Sequence, residues 1–496
     1  MARVLITHGY FYRLDPKQWK DARPYPPLGT ILAAAVLREP DQNIKGSDDR
    51  MTAVPEAPHE VRVFDTGLRH SPEELKAELD AFDPEIVAIY DDGFNYLTKM
   101  CLTVMREACF RMIGLAKAHG CKVAVSSSDS TDHAAEYLAH GADAVILGEG
   151  EVTLQELVQR WGDRTAWHDV PGIAFLEGDS VRTNAKRAVM RDLDALPLPA
   201  WDLIDVSPYR DIWMASQGYF SLNVATTRGC PFKCNWCAKP IYGNRYNVRS
   251  PEHVIRELEL LRDRFRPDHL WMCDDIFGLK PGWVQRFRDL VKERGLKLRY
   301  KIQSRADLLL ENDTIAALAE SGLHEVWIGA ESGSQKILDA MDKGITTEQI
   351  AQARALLKKH GVRTGFFLQF GYLGETEEDV HKTIEMLEHL LPDDIGISVS
   401  YPLPGTGFFE KVKSGLGAKR NWTDSDDLAM MFQRQQRPEY YKRLHRYVHA
   451  RFRREQALRE CRNLMSGGKV DARKALSAAY YVPAATMNRL RLAQAR

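Results

Sequence analysis

Three cysteines stand within eight residues, Cys230, Cys234 and Cys237, in the spacing C-x3-C-x2-C. They follow a strand-like run over 222–227 and the turn signal Arg228-Gly229. A cluster of four irons and four sulfides takes four ligands, normally cysteine thiolates. No fourth cysteine lies close by; the next is Cys273. Three thiolates leave one iron open to a ligand that is not protein. That suits chemistry at the cluster better than electron storage. Two plainer readings stand beside it. Structural zinc needs four closed ligands, and the nearest downstream histidines, His253 and His269, fall in other elements. Three half-buried cysteines holding nothing are the other.

With 496 residues the chain has room for two or three domains. Its 68 basic and 68 acidic residues balance, so no global basic excess points to nucleic acid. The apolar start, Val4-Leu5-Ile6, is too short for a signal-peptide core, and no apolar run reaches membrane-spanning length. Eight cysteines, three of them clustered, read as thiol chemistry in a reducing cytoplasm rather than a disulfide framework.

Elements that could position the cysteines alternate in type. Residues 1–165 read as five strand–helix units, with strands at 3–7, 60–66, 85–91, 122–128 and 143–147. Helices are expected at 28–39, 71–82, 95–119, 131–140 and 151–161, and a loop or insertion at 40–59. That pattern predicts a doubly wound, mostly parallel sheet with its ligand at the carboxyl ends of the strands. The candidate contacts there are Thr7, His8, Gly9, Asp91, Asp92, Ser126, Ser127, Gly148, Glu149 and Gly150. Cys101, Met105 and Cys109 recur every four residues, as a buried helical stripe does.

Residues 166–215 form an ordered connector with a hairpin signal at Glu177-Gly178-Asp179-Ser180. Residues 216–415 restart the alternation, with strands near 222–227, 269–273, 298–304, 325–330, 363–370 and 394–401. Six such units make a partial (β/α)6 barrel of the TIM type, with its site at the strand carboxyl ends. Residues 416–496 are basic, aromatic and helical by composition.

The cysteine triplet on the first barrel loop, with six βα units behind it, resembles the radical S-adenosylmethionine (SAM) superfamily. Thr227-Arg228-Gly229-Cys230, Cys273-Asp274-Asp275, Gly329-Ala330-Glu331-Ser332-Gly333-Ser334 and Gly371-Tyr372-Leu373-Gly374-Glu375 carry the resemblance. The N-terminal sheet resembles the cobalamin-binding domain of one branch, on Pro26-Pro27-Leu28-Gly29, Gly141-Ala142-Asp143 and Gly148-Glu149-Gly150-Glu151. That branch holds C-methyltransferases and anaerobic magnesium-protoporphyrin monomethyl ester cyclases. The resemblance covers residues 1–415.

It implies a [4Fe-4S] cluster on Cys230, Cys234 and Cys237, shielded by Trp236. It implies SAM against Asp274, Gln303, Arg305, Glu331, Ser332, Gly371 and Glu375, and cobalamin on the N-terminal loops. Plainer roles are open for several of these. Asp274 could cap the next helix, Gly329–Ser334 could be a simple turn, and Gln303 and Arg305 could serve salt bridges. The D-x-H-x-x-G pattern that supplies a histidine to cobalt is absent, since Asp132-His133 has the wrong spacing. A corrinoid here would lack that ligand, and a sheet that binds nothing is the alternative.

The implied reaction is reductive cleavage of SAM to a 5′-deoxyadenosyl radical, then cobalamin-dependent methyl transfer to an unactivated carbon of a small molecule. Radical cyclisation or rearrangement of a porphyrin or lipid-like substrate is the alternative. An iron–sulfur redox sensor or electron carrier is the alternative of another class. A flavodoxin or ferredoxin is the expected electron donor.

Overall fold

The computed structural model describes residues 2–38, 59–94, 102–239, 241–416, 438–467 and 470–495. The loop expected at 40–59 and the start of the helix expected from 95 lie almost wholly outside them. Among the described residues, those of Met1–Pro231 and Lys239–Tyr300 make one compact unit. Those of Phe232–Ala238, Lys301–Arg420 and Asp426–Arg496 make a second.

The first unit opens with β1 (Arg3–Thr7), β2 (Glu60–Phe64), β3 (Ile86–Tyr90), β4 (Lys122–Ser126) and β5 (Ala144–Ile146). A hairpin of β6 (Ile173–Glu177) and β7 (Ser180–Thr183) follows. The sheet runs β2-β1-β3-β4-β5-β6-β7. The first five strands are parallel, and β6 joins β5 antiparallel. Val4, Leu5, Ile6, Val87, Ala88 and Ile89 are all buried, as befits central parallel strands covered on both faces. The hairpin read as connector is thus an edge of this sheet.

Helix boundaries differ in places. Leu102 is extended, so the long helix begins at Thr103 and runs to Ala118. β4 stops at Ser126 because Ser127 caps a short helix, Ser128–Asp132, in a capping box with Ser130. His133 then breaks the expected 131–140 helix, which resumes over Ala134–Ala139.

The connector is well packed. The Trp213 indole donates to the Pro24 carbonyl at 2.7 Å, and the Trp201 indole to Glu257 at 3.3 Å. Helix Ser207–Gln217 was not foreseen; Pro208 in its first turn and Gly218 at φ +75° after it bracket it.

Next come β8 (Ser221–Val224), β9 (Thr227–Arg228), β10 (Asn247–Val248), β11 (His269–Met272), β12 (Tyr300–Ser304), β13 (Leu323–Glu331), β14 (Arg363–Phe370) and β15 (Asp394–Val399). Six of them form a sheet in the order β8-β11-β12-β13-β14-β15. β8 pairs with β11, β13 with β14 and β14 with β15, all parallel. The fold is α/β, and the C-terminal region is helical: Pro438–Met465, Ala472–Leu476 and Ala478–Ala493.

Candidate active site

In the first unit the approach to Cys230 is fixed by charge. Arg228, two residues earlier, is 4 % exposed. It makes a two-point pair with Glu151 at 2.8 and 3.2 Å and a further pair with Glu149. The rings of Tyr242 and Phe94 lie 5.2 and 5.7 Å from its guanidinium carbon. Burial raises the Glu149 carboxyl above its usual range, although Arg228 opposes this. Gly229 has φ +76°, and a Cβ there would stand 2.3 Å from the Arg245 carbonyl. Only glycine fits that turn.

Asp274 sits at the end of β11, buried. It accepts from the backbone N–H of Thr226 at 2.6 Å and of Thr227 at 2.8 Å, and from the Thr226 hydroxyl. Burial pushes its carboxyl up to about 6 against those hydrogen bonds. Its carboxylate thus braces the strand that leads to the cysteines.

The other first-unit candidates gather at the carboxyl end of the seven-stranded sheet. Gly9 N–H donates to Asp91 at 2.5 Å, and burial pushes that carboxyl up to about 6. His8 is fixed by Asp65 at 2.9 Å and by the Thr66 hydroxyl at 3.1 Å. Asp92 accepts from Leu28 and Gly29 N–H and so tethers the start of helix Leu28–Arg38. A Cβ on Gly150 would lie 2.8 Å from the Tyr90 ring and 2.9 Å from the Ser126 hydroxyl. Gly148 has φ +80°. Thr7 and Ser128 bury hydroxyls that have no partner among the described residues. Both lie at strand carboxyl ends, where such atoms call for a polar ligand.

The second unit holds Cys234 and Cys237. They and Cys230 are half-buried, and none is in a disulfide. Arg305 points an N–H nitrogen at the Cys234 sulfur, 4.0 Å away. Its guanidinium stacks on Phe232 at 3.7 Å and is clamped at two points by Asp307, each 3.0 Å.

Glu331 ends β13 at a break in register, with φ +56°. Its carboxylate meets the Lys343 ammonium at 2.7 Å, and both are buried. That ammonium lies 5.9 Å from the Trp236 ring. Burial would lower the Lys343 pKa, but Glu331 and Cys234 more than offset it and raise it. Sequence reasoning missed Lys343, whose only signal is a lysine just past helix Gln335–Ala340.

Ser332 is fully buried, its hydroxyl 3.1 Å from that of Thr383. Gly371 N–H donates to Glu375 at 2.6 Å. Asn235 is bound to Ala340, Asp342 and the Tyr372 hydroxyl, which holds the chain between the last two cysteines. Gln303 is half-buried on β12. Gln369 on β14 and Ser400 just after β15 were also missed. Each buries a side-chain oxygen without a partner among the described residues, at the carboxyl end of its strand.

The donor set suits an iron–sulfur cluster. A four-iron cluster spreads its thiolates around a cube. The N–H groups and cations beside Cys234 suit thiolate ligands.

Residues 224–387 match the family model described as "Radical SAM superfamily". An uncharacterised methyltransferase of Pyrococcus horikoshii is 32 % identical over 56 % of this chain and 60 % of its own length. The anaerobic magnesium-protoporphyrin IX monomethyl ester cyclase of Cereibacter sphaeroides is 28 % identical over 55 % and 45 %. The chain therefore spans less than two thirds of either relative, and less than half of the second. A solved structure of the cobalamin-dependent SAM radical enzyme OxsB with aqua-cobalamin bound superposes with a TM-score of 0.71. It shares 16 % identity and covers 99 % of this chain and 72 % of that one. The chain shares its fold with this cobalamin-dependent SAM radical enzyme, and its residues 224–387 are similar to the radical SAM superfamily.

Proposed function

We propose that this protein is a cobalamin-dependent radical SAM enzyme that transfers a methyl group to an unactivated carbon of a small molecule. The observation that carries the reading is the three-cysteine loop within the matched residues, which follows a doubly wound, mostly parallel sheet along the chain. Bound cluster, SAM and cobalamin would supply radical generation and the transferable methyl group. Cys230, Cys234 and Cys237 hold the cluster in this reading, and Trp236 keeps water from it. Arg305 and Lys343 place positive charge beside Cys234. Glu331, Ser332, Gln303, Gly371 and Glu375 orient SAM, while Asp274 fixes the backbone of the first cysteine loop. Thr7, Gly9, Ser126, Ser127 and the 148–150 loop would receive the corrinoid. The chain works in the cytoplasm and takes electrons from a flavodoxin or ferredoxin.

Anaerobic reconstitution tests this. Protein loaded with iron, sulfide and a corrinoid, given SAM and a reductant, should release 5′-deoxyadenosine and show a corrinoid spectrum. Protein that takes up no iron, or takes it up and leaves SAM intact, would sink the radical assignment. The likeness to the cyclase supports a second reading, radical cyclisation. Product mass separates the two, because only methylation adds a carbon.

A further inference from the structure

Large exposed apolar side chains are concentrated in one place. Of twelve among the described residues, seven fall between Leu464 and Leu490: Leu464, Met465, Leu476, Tyr480, Val482, Met487 and Leu490. They belong to a helical hairpin. Helix Ala478–Ala493 returns along helix Pro438–Met465, with Arg443 donating to the Arg491 carbonyl at 2.7 Å. Helix Ala472–Leu476 lies at the turn end, where the Asp471 N–H donates to Glu460 at 3.1 Å.

The last helix is apolar on two sides. Ala485 and Leu492 face inward and are buried. Tyr480, Pro483, Met487 and Leu490 recur at helical spacing on the outer side, and all four are exposed. Leu464, Met465 and Leu476, 63–80 % exposed, extend this apolar surface at the turn.

The charge is as concentrated as the apolar surface. Residues 462–496 hold seven Lys and Arg against one acid, in a chain with no net charge. Exposed Arg462, Arg473, Arg489 and Arg491 have no carboxylate partner among the described residues. Most arginines elsewhere are paired, as Arg228, Arg305 and Arg451 are.

We infer that this helical hairpin is a docking surface for an anionic phospholipid bilayer. Apolar side chains at helical spacing, flanked by unpaired arginines, fit the boundary between acyl chains and acidic headgroups. The long arginine stems reach the headgroups while their methylenes stay in apolar surroundings. A second copy of the chain is disfavoured, because like charges would face each other. No described helix is long and apolar enough to cross a membrane, so the association is at the surface.

The test is sedimentation of the full chain with vesicles of phosphatidylcholine, with and without phosphatidylglycerol. The anionic vesicles should bind at least about tenfold more tightly, and salt should weaken the binding. Met465→Ser, Leu476→Ser and Leu490→Ser combined, or Arg473→Glu with Arg489→Glu, should each lower it about tenfold or more. These side chains are exposed, so circular dichroism and the unfolding midpoint should match the parent. The inference fails if anionic vesicles leave the protein in solution, or if the variants bind as the parent does. It fails equally if light scattering shows a dimer that the same substitutions dissolve, or if the surface takes an acidic protein and not the vesicles.

Discussion

Arg228 and Glu151 form a two-point ion pair, at 2.8 and 3.2 Å, with both side chains almost wholly buried. Glu149 adds a second carboxylate. The residue two before the first cysteine is thereby held by the loop after β5. Arg228→Met would strand the buried Glu151 carboxylate and the half-buried Glu149 carboxylate, and should cost about 3–5 kcal/mol. Urea unfolding of the metal-free protein measures this. Adding Glu149→Gln and Glu151→Gln should recover much of the loss. Unchanged stability in Arg228→Met would show that the pair contributes nothing.

The thiols divide by surroundings. Cys230, Cys234 and Cys237 are half-buried, whereas Cys109, Cys121 and Cys273 are buried core residues. Alanine at any of the first three should strip iron from reconstituted protein; alanine at Cys109 or Cys121 should leave it. Iron per chain and visible absorption report the outcome. Retention of a full cluster in Cys234→Ala would mean a different ligand set.

Arg305 lies 4.0 Å from the Cys234 sulfur and is locked there by Asp307. Hydrogen bonds and positive charge near cluster sulfurs raise the reduction potential. Arg305→Met should therefore lower the midpoint potential at unchanged iron content, with Arg305→Lys between it and the parent. Redox titration followed by electron paramagnetic resonance reads this directly. An unmoved potential would remove Arg305 from the cluster's surroundings.

Asp91 titrates at about 6 because burial disfavours its charge. The protonated form is thus favoured in the folded state. That contribution is complete below the unfolded carboxyl range and is lost as pH rises through about 6. Between about pH 4 and 6.5 the parent should lose stability relative to Asp91→Asn. Parallel unfolding curves for the two across that window would contradict the assignment.

How much of this could be read from residues depends on range. The helix expected at 71–82 was plain, because Ser71, Pro72 and Glu74 act on neighbours in a capping box. The alternation of strands and helices was equally local. Asp274 was expected to face a ligand, yet its carboxylate is occupied by Thr226 and Thr227, brought beside it by the pairing of β8 with β11. Arg228 was visible as a motif residue, but its partners lie 77 and 79 positions earlier. Lys343 looked like any surface lysine until burial against Glu331 singled it out. What escaped was set by register and burial, which spacing along the chain does not encode.

Glu331 stands in a left-handed backbone conformation. Its φ of +56° is a conformation that glycine adopts freely and that costs an L-residue roughly 1–2 kcal/mol. Glycine stands at Gly329 and Gly333 on either side, so the chain tolerates glycine within two residues but places a carboxylate at the strained point. Backbone ease has been given up there for side-chain chemistry. Glu331→Gly would then relax the turn while leaving the Lys343 ammonium buried alone, a local comfort that the molecule as a whole would not welcome.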